Sequence, residues 1–289
     1  MIAKIRAAGA TDVIQHGATW KEADGYLREQ ILKNDPNGVY VPPFDHADIW
    51  AGNSTIVEEV ARQIPDGRPD AIVCSVGGGG LFNGVMLGLE KQRWTGMNVL
   101  AVETKGADSL ATSLQEGQLA TLDEITSVAT SLAAKQTSRK TYELAQREGV
   151  KSVVLSDAEA AMGCWRLADD ERLMVELACG VSVAVCYDGR LKKLLPGLTK
   201  ESKVVIVLCG GSNVSLEMLV EYRHKYGSVE KVATKSKSVP STLTAPPAGH
   251  VKGAEVVDMD EMMRTCEGAA GEHLPDMATI MQVAREFDS

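Results

Sequence analysis

The six cysteines, at 74, 164, 179, 186, 209 and 266, form no Cys-x-x-Cys pair and no metal-ligand spacing. Neither a structural zinc site nor a disulfide framework is expected, and the thiols read as buried or active-site groups in a reducing compartment. No uninterrupted apolar run is long enough to span a membrane. The first residues carry Lys4 and Arg6 but no apolar core of a secretory signal. Nor is there a long basic run, and the net charge of −9 argues against a nucleic-acid surface. His16, His46, His224, His250 and His273 share no spacing that would suggest a metal or a catalytic triad. These absences predict a cytoplasmic protein that binds neither nucleic acid nor membrane. With 289 residues, 44% of them hydrophobic and 24% charged, the chain can build one large or two modest domains around a sizeable core.

One stretch organises the chain. The apolar run Ala71–Val76 reads as a buried strand and Val85–Glu90 as a helix, with Gly77, Gly78, Gly79 and Gly80 at the turn between them. Consecutive N–H groups can close around an anion there, and the following helix points its N-terminal N–H groups and positive dipole end at the same spot. The common phosphate motifs do not fit: Phe82 and Asn83 stand where a third dinucleotide-loop glycine belongs, and no Lys-Ser or Lys-Thr follows Gly84. One or two glycines would read as a tight turn without a ligand. Four in a row, each costing backbone entropy, favour a ligand.

Short apolar strands alternate with helices along the chain. Strands are expected at 13–14, 39–41, 71–76, 99–102, 153–155 and 204–208. Helices are expected over Met1–Ala8, Trp20–Lys33, Ser54–Ile64 (capped by Asn53 or Ser54), 109–114, 135–148, 158–169 (capped by Ser156-Asp157), 179–195 and 215–226. This alternation predicts an α/β fold, an open parallel sheet with helices on both faces. From Ser228 the composition shifts: 228–253 reads as a flexible linker rich in Lys, Ser, Thr, Pro and Val. Residues 254–289 form an acidic tail, nine acidic against two basic residues, in which Met277, Ile280, Met281, Ala284 and Phe287 could line one helical face.

Ser75-Val76-Gly77-Gly78-Gly79-Gly80-Leu81 resembles the cofactor-phosphate loop of the pyridoxal-phosphate-dependent serine/threonine dehydratases. Four further stretches agree in order and spacing: Val41-Pro42-Pro43-Phe44-Asp45, Val102–Ala107, Val175–Gly180 and Val207–Asn213. The resemblance runs from about Met1 to Gly227 and is closest to the L-serine dehydratase branch. It implies a fold type II pyridoxal-phosphate enzyme with a remnant of the small domain at 1–45 and a large cofactor-binding domain at 46–227. Residues 228–289 would then be the linker and tail. It also implies a homodimeric ammonia-lyase taking an amino acid, L-serine and also L-threonine, by β-elimination to a 2-oxo acid and ammonia.

By the same resemblance, Gly77 to Leu81 bind the cofactor phosphate and Cys209 faces the ring nitrogen. A neutral thiol there leaves the ring largely unprotonated, which suits elimination of a hydroxyl group. Unaided, Cys209 would read as a small core residue ending a strand. Its place before Gly210-Gly211-Ser212-Asn213, at a carboxyl end of the sheet, favours the cofactor. Glu103, a surface carboxylate if taken alone, matches a family position that joins carbonyl oxygens near Gly77, Ala107, Leu132 and Ala134 around a monovalent cation, K or Na. Hard oxygen ligands suit such an ion. Leu177 follows Glu176 where the family usually has Pro, so this loop is expected to be altered.

The family's Schiff-base lysine belongs to a Ser-x-Lys-x-Arg-Gly motif upstream of every stretch matched here. Lys105, Lys135, Lys235 and Lys237 lack its context. With no strand before the first helix, the expectation is an N-terminally truncated member that contributes the phosphate seat, the ring-nitrogen partner and the cation site but not the base. The alternative is a non-catalytic paralogue kept for binding or oligomerisation. Threonine or cysteine synthases of the same fold fit Cys209-Gly210-Gly211 and Glu176–Gly180 less well, and a dinucleotide dehydrogenase lacks its third glycine and ribose carboxylate.

Overall fold

The computed structural model describes residues 2–64, 67–229 and the backbone of Thr279–Gln282. The chain divides after Pro43 into two units. The first holds α1 (Ile2–Ala7) and α2 (Trp20–Tyr26), the latter capped by Thr19, whose hydroxyl accepts from the Glu22 N–H at 3.3 Å. The helix expected to run on to Lys33 loosens after Tyr26 into a π turn, Leu27–Ile31, and a 3-10 turn, Leu32–Asn34. No strand forms at 13–14 or 39–41. Val39 and Val41 are 85% and 77% exposed, and β-branched residues without a neighbouring strand have no ladder to complete.

The second unit opens with α3 (Ala47–Gln63), which starts well before the expected Ser54. His46 caps it, Nδ1 accepting from the Asp48 N–H at 3.2 Å. Ser54 sits inside the helix because its hydroxyl is satisfied locally, donating to the Ala51 carbonyl at 2.6 Å. The remaining elements alternate. β1 (Ala71–Ser75) is followed by α4 (Gly80–Lys91), and β2 (Asn98–Thr104) by α5 (Ser109–Glu116) and α6 (Arg139–Ala145). β3 (Val150–Leu155) leads to α7 (Asp157–Glu171), α8 (Leu177–Ala184) and α9 (Arg190–Leu194). β4 (Val204–Leu208), α10 (Leu216–Tyr226) and the short β5 (Thr279–Gln282) complete the order.

β1 to β4 are parallel, in the order β3-β2-β1-β4, and β5 pairs antiparallel with β4 at the edge. The backbone at 279–282 is therefore a strand, not part of the helical face expected around Met277–Phe287. The rest of that tail and the linker from residue 230 lie outside the described residues. All five residues of β1 are buried, as a parallel strand covered on both faces requires. On one face Ile72, Cys74, Val99, Ala101 and Val205 pack with Val57 and Val60 of α3 and Phe82, Val85 and Leu89 of α4. On the other, Val73, Leu100, Val102 and Ile206 pack with Ala160 and Cys164 of α7, Val181 of α8 and Leu219 of α10. The α/β architecture with helices on both faces follows from these two cores.

Two helices are shorter than their hydrophobic patterns predict. The helix expected over 135–148 is confined to Arg139–Ala145, capped by Ser138, whose hydroxyl accepts from the Thr141 N–H at 3.1 Å. The apolar stretch 179–195 is broken into α8 and α9 because Asp188 (φ 55°) and Gly189 (φ 66°) take left-handed conformations. By contrast α7 keeps its expected start. Ser156 and Glu159 form a reciprocal capping box, with bonds of 3.2 Å and 2.8 Å.

Candidate cofactor site

The strand order places one crevice. The chain leaves β1 towards β2 and β3 on one side, whereas β4 lies on β1's other side. The carboxyl ends of β1 and β4 are therefore the switch point where ligands enter open α/β sheets. The glycine loop follows β1 and Cys209 follows β4, so residues far apart in sequence meet: Ser75 Oγ lies 3.7 Å from Cys209 Sγ.

Each glycine is sterically required, but by the protein behind the loop. A Cβ on Gly77 would lie 3.0 Å from the Leu132 Cα, and one on Gly78 would lie 2.2 Å from the Phe44 ring. On Gly80 it would meet the Phe44 carbonyl oxygen at 2.9 Å. Gly79, the N-cap of α4 with φ +98°, would press a Cβ to 1.8 Å from the Thr141 hydroxyl oxygen. These contacts would suit a tight turn as well as a ligand seat. The N–H groups distinguish the two. From Gly77 to Phe82 none finds an acceptor among the described residues, and the first bond of α4 is Asn83 N–H to the Gly79 carbonyl, at 2.8 Å. Five of these six N–H groups belong to the expected seat, Gly77–Leu81, and they suit a phosphate as acceptor.

A buried hydroxyl cluster, not singled out in the sequence, holds the loop. The Gly78 carbonyl accepts from the Ser138 N–H at 3.0 Å and from the hydroxyls of Thr137 and Thr141 at 3.3 and 3.4 Å. Thr141 Oγ1 also reaches Asn83 Oδ1 at 2.9 Å, and Asn83 Nδ2 donates to Ser138 Oγ at 3.2 Å. Anchoring that carbonyl on the α6 side leaves the loop's N–H groups, along with the Gly77 carbonyl, unpaired among the described residues. In the sequence Thr137, Ser138 and Thr141 all fall inside the helix expected over 135–148, and no local signal marks them as a cluster.

Cys209 is solvent-facing, whereas Cys179, at the start of α8, is fully buried. A hydrogen bond from the Cys179 thiol holds Cys209 below the ordinary thiol range, with Ser75 adding to the effect, and the same contact together with burial drives Cys179 far above it. Cys209 is thus the acceptor of the pair.

Glu103 ends β2 fully buried. Its two carboxylate oxygens accept the N–H groups of Leu110 and Ala111, each at 2.8 Å, and so cap the first turn of α5. Burial pushes its pKa up to about 8 against the opposing effect of those two N–H groups. No lysine or arginine pairs with it among the described residues. Of the expected carbonyl ligands, Leu132 ends the 3-10 turn Thr130–Leu132, and its oxygen lies 3.2 Å from a Cβ built on Gly77. Ala107 is buried in the turn after β2, its N–H bonded to the Thr104 carbonyl at 2.9 Å. The Ala134 N–H donates to the Leu132 carbonyl at 2.7 Å. Three of the described lysines are engaged elsewhere: Lys91 Nζ with Ser54 Oγ at 2.8 Å, Lys135 Nζ with the Asp123 carbonyl at 2.5 Å, and Lys151 Nζ with the Leu194 carbonyl at 2.8 Å. Among the described residues no helix is long and apolar enough to cross a membrane.

Residues 1–210 match the family described as Pyridoxal-phosphate dependent enzyme. The chain belongs to the pyridoxal-phosphate-dependent enzyme family. It is 42% identical over 233 residues to an L-serine dehydratase of Saccharomyces cerevisiae, a match covering 76% of this chain and 69% of the yeast protein. A fungal L-serine ammonia-lyase from Rhizomucor miehei superposes with a TM-score of 0.72 at 40% identity, covering 78% of this chain and 70% of that one. The processed form of threonine deaminase isoform 2 from Solanum lycopersicum gives a TM-score of 0.66 at 26% identity, over 77% of this chain and 62% of its own. Within this pyridoxal-phosphate family the acceptorless N–H run fits the cofactor's phosphate, and the crevice between β1 and β4 sets Cys209 across from it.

Proposed function

We propose that this chain belongs to a pyridoxal-phosphate-dependent ammonia-lyase, which converts L-serine, and also L-threonine, to pyruvate or 2-oxobutanoate and ammonia, and that it contributes the phosphate seat, the ring-nitrogen partner and the cation site but not the base. One observation carries the reading: the run of acceptorless N–H groups from Gly77 to Phe82 opens at the same crevice as Cys209. It is supported by the identity to an L-serine dehydratase. Bound there, the cofactor supplies the electron sink that lets the substrate lose its Cα proton and its β-hydroxyl group.

The chain's own residues hold that group. Gly77, Gly78, Gly79, Gly80 and Leu81 donate N–H groups to the phosphate, and the N-terminal end of α4 adds its dipole. Cys209 meets the ring nitrogen. A ring nitrogen placed against the thiol would exclude the water that favours its charged form, and a neutral sulfur there would leave that nitrogen unprotonated. Glu103, with carbonyls of Gly77, Ala107, Leu132 and Ala134, binds a monovalent cation, K or Na. A buried carboxylate without a cationic partner is suited to one. No lysine of this chain is assigned the role of base. The protein is cytoplasmic and homodimeric in this reading, with an amino acid as its small-molecule substrate. A non-catalytic role as a binding or oligomerisation partner is not favoured by the comparisons with known lyases.

The test is a titration of the full chain with pyridoxal phosphate, followed by tryptophan fluorescence and competed with inorganic phosphate. Pyruvate release from L-serine and 2-oxobutanoate release from L-threonine are measured in parallel. Saturable binding that phosphate displaces is expected. A folded chain that shows no saturable binding overturns the proposal.

A further inference from the structure

Glu176 precedes α8 and is buried, 9% exposed, with no lysine or arginine paired to it among the described residues. It makes four backbone connections. Its carbonyl accepts the N–H groups of Cys179 and Gly180 at 2.9 and 2.8 Å, in the first turn of α8. Its own N–H donates to the Gly210 carbonyl at 3.0 Å, and its Oε2 accepts the Asn213 N–H at 3.0 Å. The turn after Cys209 is thereby tied at both ends to the segment that carries Cys179. The turn is also shaped around the carboxylate. Gly210 and Gly211 have φ of +75° and +92°, and a Cβ on Gly211 would lie 2.1 Å from the Glu176 Cδ and 2.4 Å from its Oε2. A second polar bond steadies the far side, from Asn213 Nδ2 to Thr130 Oγ1 at 3.1 Å.

We propose that Glu176 is a positioning residue, which fixes the Gly210–Asn213 turn so that the Cys209 sulfur stays beside Ser75, where the cofactor's ring nitrogen meets it. This rests on the placement of Cys209 given under the proposed function. A buried carboxylate is costly, and here the Asn213 N–H is what it serves. The cost is offset by holding a turn of two left-handed residues that would otherwise sample many conformations. Glu176 touches neither the phosphate loop nor the cation residues in any of these bonds, so its loss separates the ring end of the site from the phosphate end.

The experiment follows alkylation of Cys209 by iodoacetamide in the full chain, read by peptide mass spectrometry with and without saturating pyridoxal phosphate. Cys186 serves as an internal reference. In the parent chain the cofactor should slow Cys209 alkylation at least tenfold. In Glu176→Ala that protection should fall below twofold, while phosphate-competed binding and the Cys186 rate stay within threefold of the parent. Glu176→Gln keeps an acceptor for the Asn213 N–H and should retain most of the protection. Equal protection in Glu176→Ala and the parent overturns the proposal, as does a Glu176→Gln chain that loses protection fully, because charge rather than the brace would then be at work. If Glu176→Ala does not fold, Gly211→Ala displaces the intact carboxylate and should lose protection likewise; full protection there overturns the proposal. Saturable binding without Cys209 protection in the parent chain instead refutes the placement of Cys209 itself, and with it this inference.

Discussion

Gly79→Ala tests the physical basis of the phosphate seat. The new methyl group faces two penalties that can be separated. The φ of +98° disfavours any L side chain, at about 1–2 kcal/mol. The Cβ would also lie 1.8 Å from the Thr141 Oγ1 and 2.7 Å from its Cβ and Cγ2. Thr141 is fully buried and cannot swing into solvent, and overpacking of this kind costs about 1–3 kcal/mol. The sum is about 2–5 kcal/mol, a large share of a typical domain's stability. Urea denaturation followed by far-UV circular dichroism measures it. A Gly79→Ala, Thr141→Ala pair then relieves the contacts with Oγ1 and Cγ2, leaving the 2.7 Å approach to the Cβ of residue 141 and the backbone strain, so the two changes should couple by roughly 1–3 kcal/mol in a double-mutant cycle. Pyridoxal phosphate affinity should fall in Gly79→Ala by about tenfold for each 1.4 kcal/mol lost at the seat. A Gly79→Ala chain within 0.5 kcal/mol of the parent (roughly the scatter of a neutral surface change), or the absence of coupling to position 141, refutes the reasoning.

Three further outcomes follow from the same structure. Glu103 has its folded-state pKa raised from 4.5 to about 8, so the folded chain keeps a proton that the unfolded chain releases. This group therefore lowers stability as pH rises from about 4.5 through about 8. Glu103→Gln should flatten that slope of Tm against pH, and potassium chloride should raise Tm at pH 8 more than tetramethylammonium chloride does; an unchanged slope in Glu103→Gln contradicts the assignment. Thr141→Val preserves shape but leaves the buried Asn83 Oδ1 without its 2.9 Å donor, at about 1–3 kcal/mol of stability. Its pyridoxal phosphate affinity should weaken while α7 and α8 remain unaffected by hydrogen exchange. Ser156→Ala removes the capping-box hydroxyl of α7 and should cost about 0.5–2 kcal/mol, with cofactor binding unchanged, as checked by denaturation and titration side by side.

Much of this site is local and hence visible along the chain. The buried strand Ala71–Ser75, the glycine turn and the helix after it follow one another within a short stretch, and the β-branched run Val204–Leu208 marks itself as a central strand. Ser156 is read correctly as a cap because the capping bond spans three residues. Elsewhere the local signal misleads. Val39–Val41 has strand-like residues but no partner strand, and Asn53-Ser54 looks like a cap but lies within α3. The stretch 279–282 takes the register of β4 in place of a helical face.

The residue pattern by itself determined the α/β class and the family, because periodicity and an ordered set of motifs are written in the order of residues. Tertiary structure alone decided which side chains share the crevice. Strand order brings Cys209 to Ser75 across 134 positions of sequence, and packing puts Phe44 and Thr141 behind the glycines. Glu176 reaches Asn213 only once α8 docks on β4. Such contacts depend on chain crossovers and on close packing of distant segments, and no local periodicity encodes them.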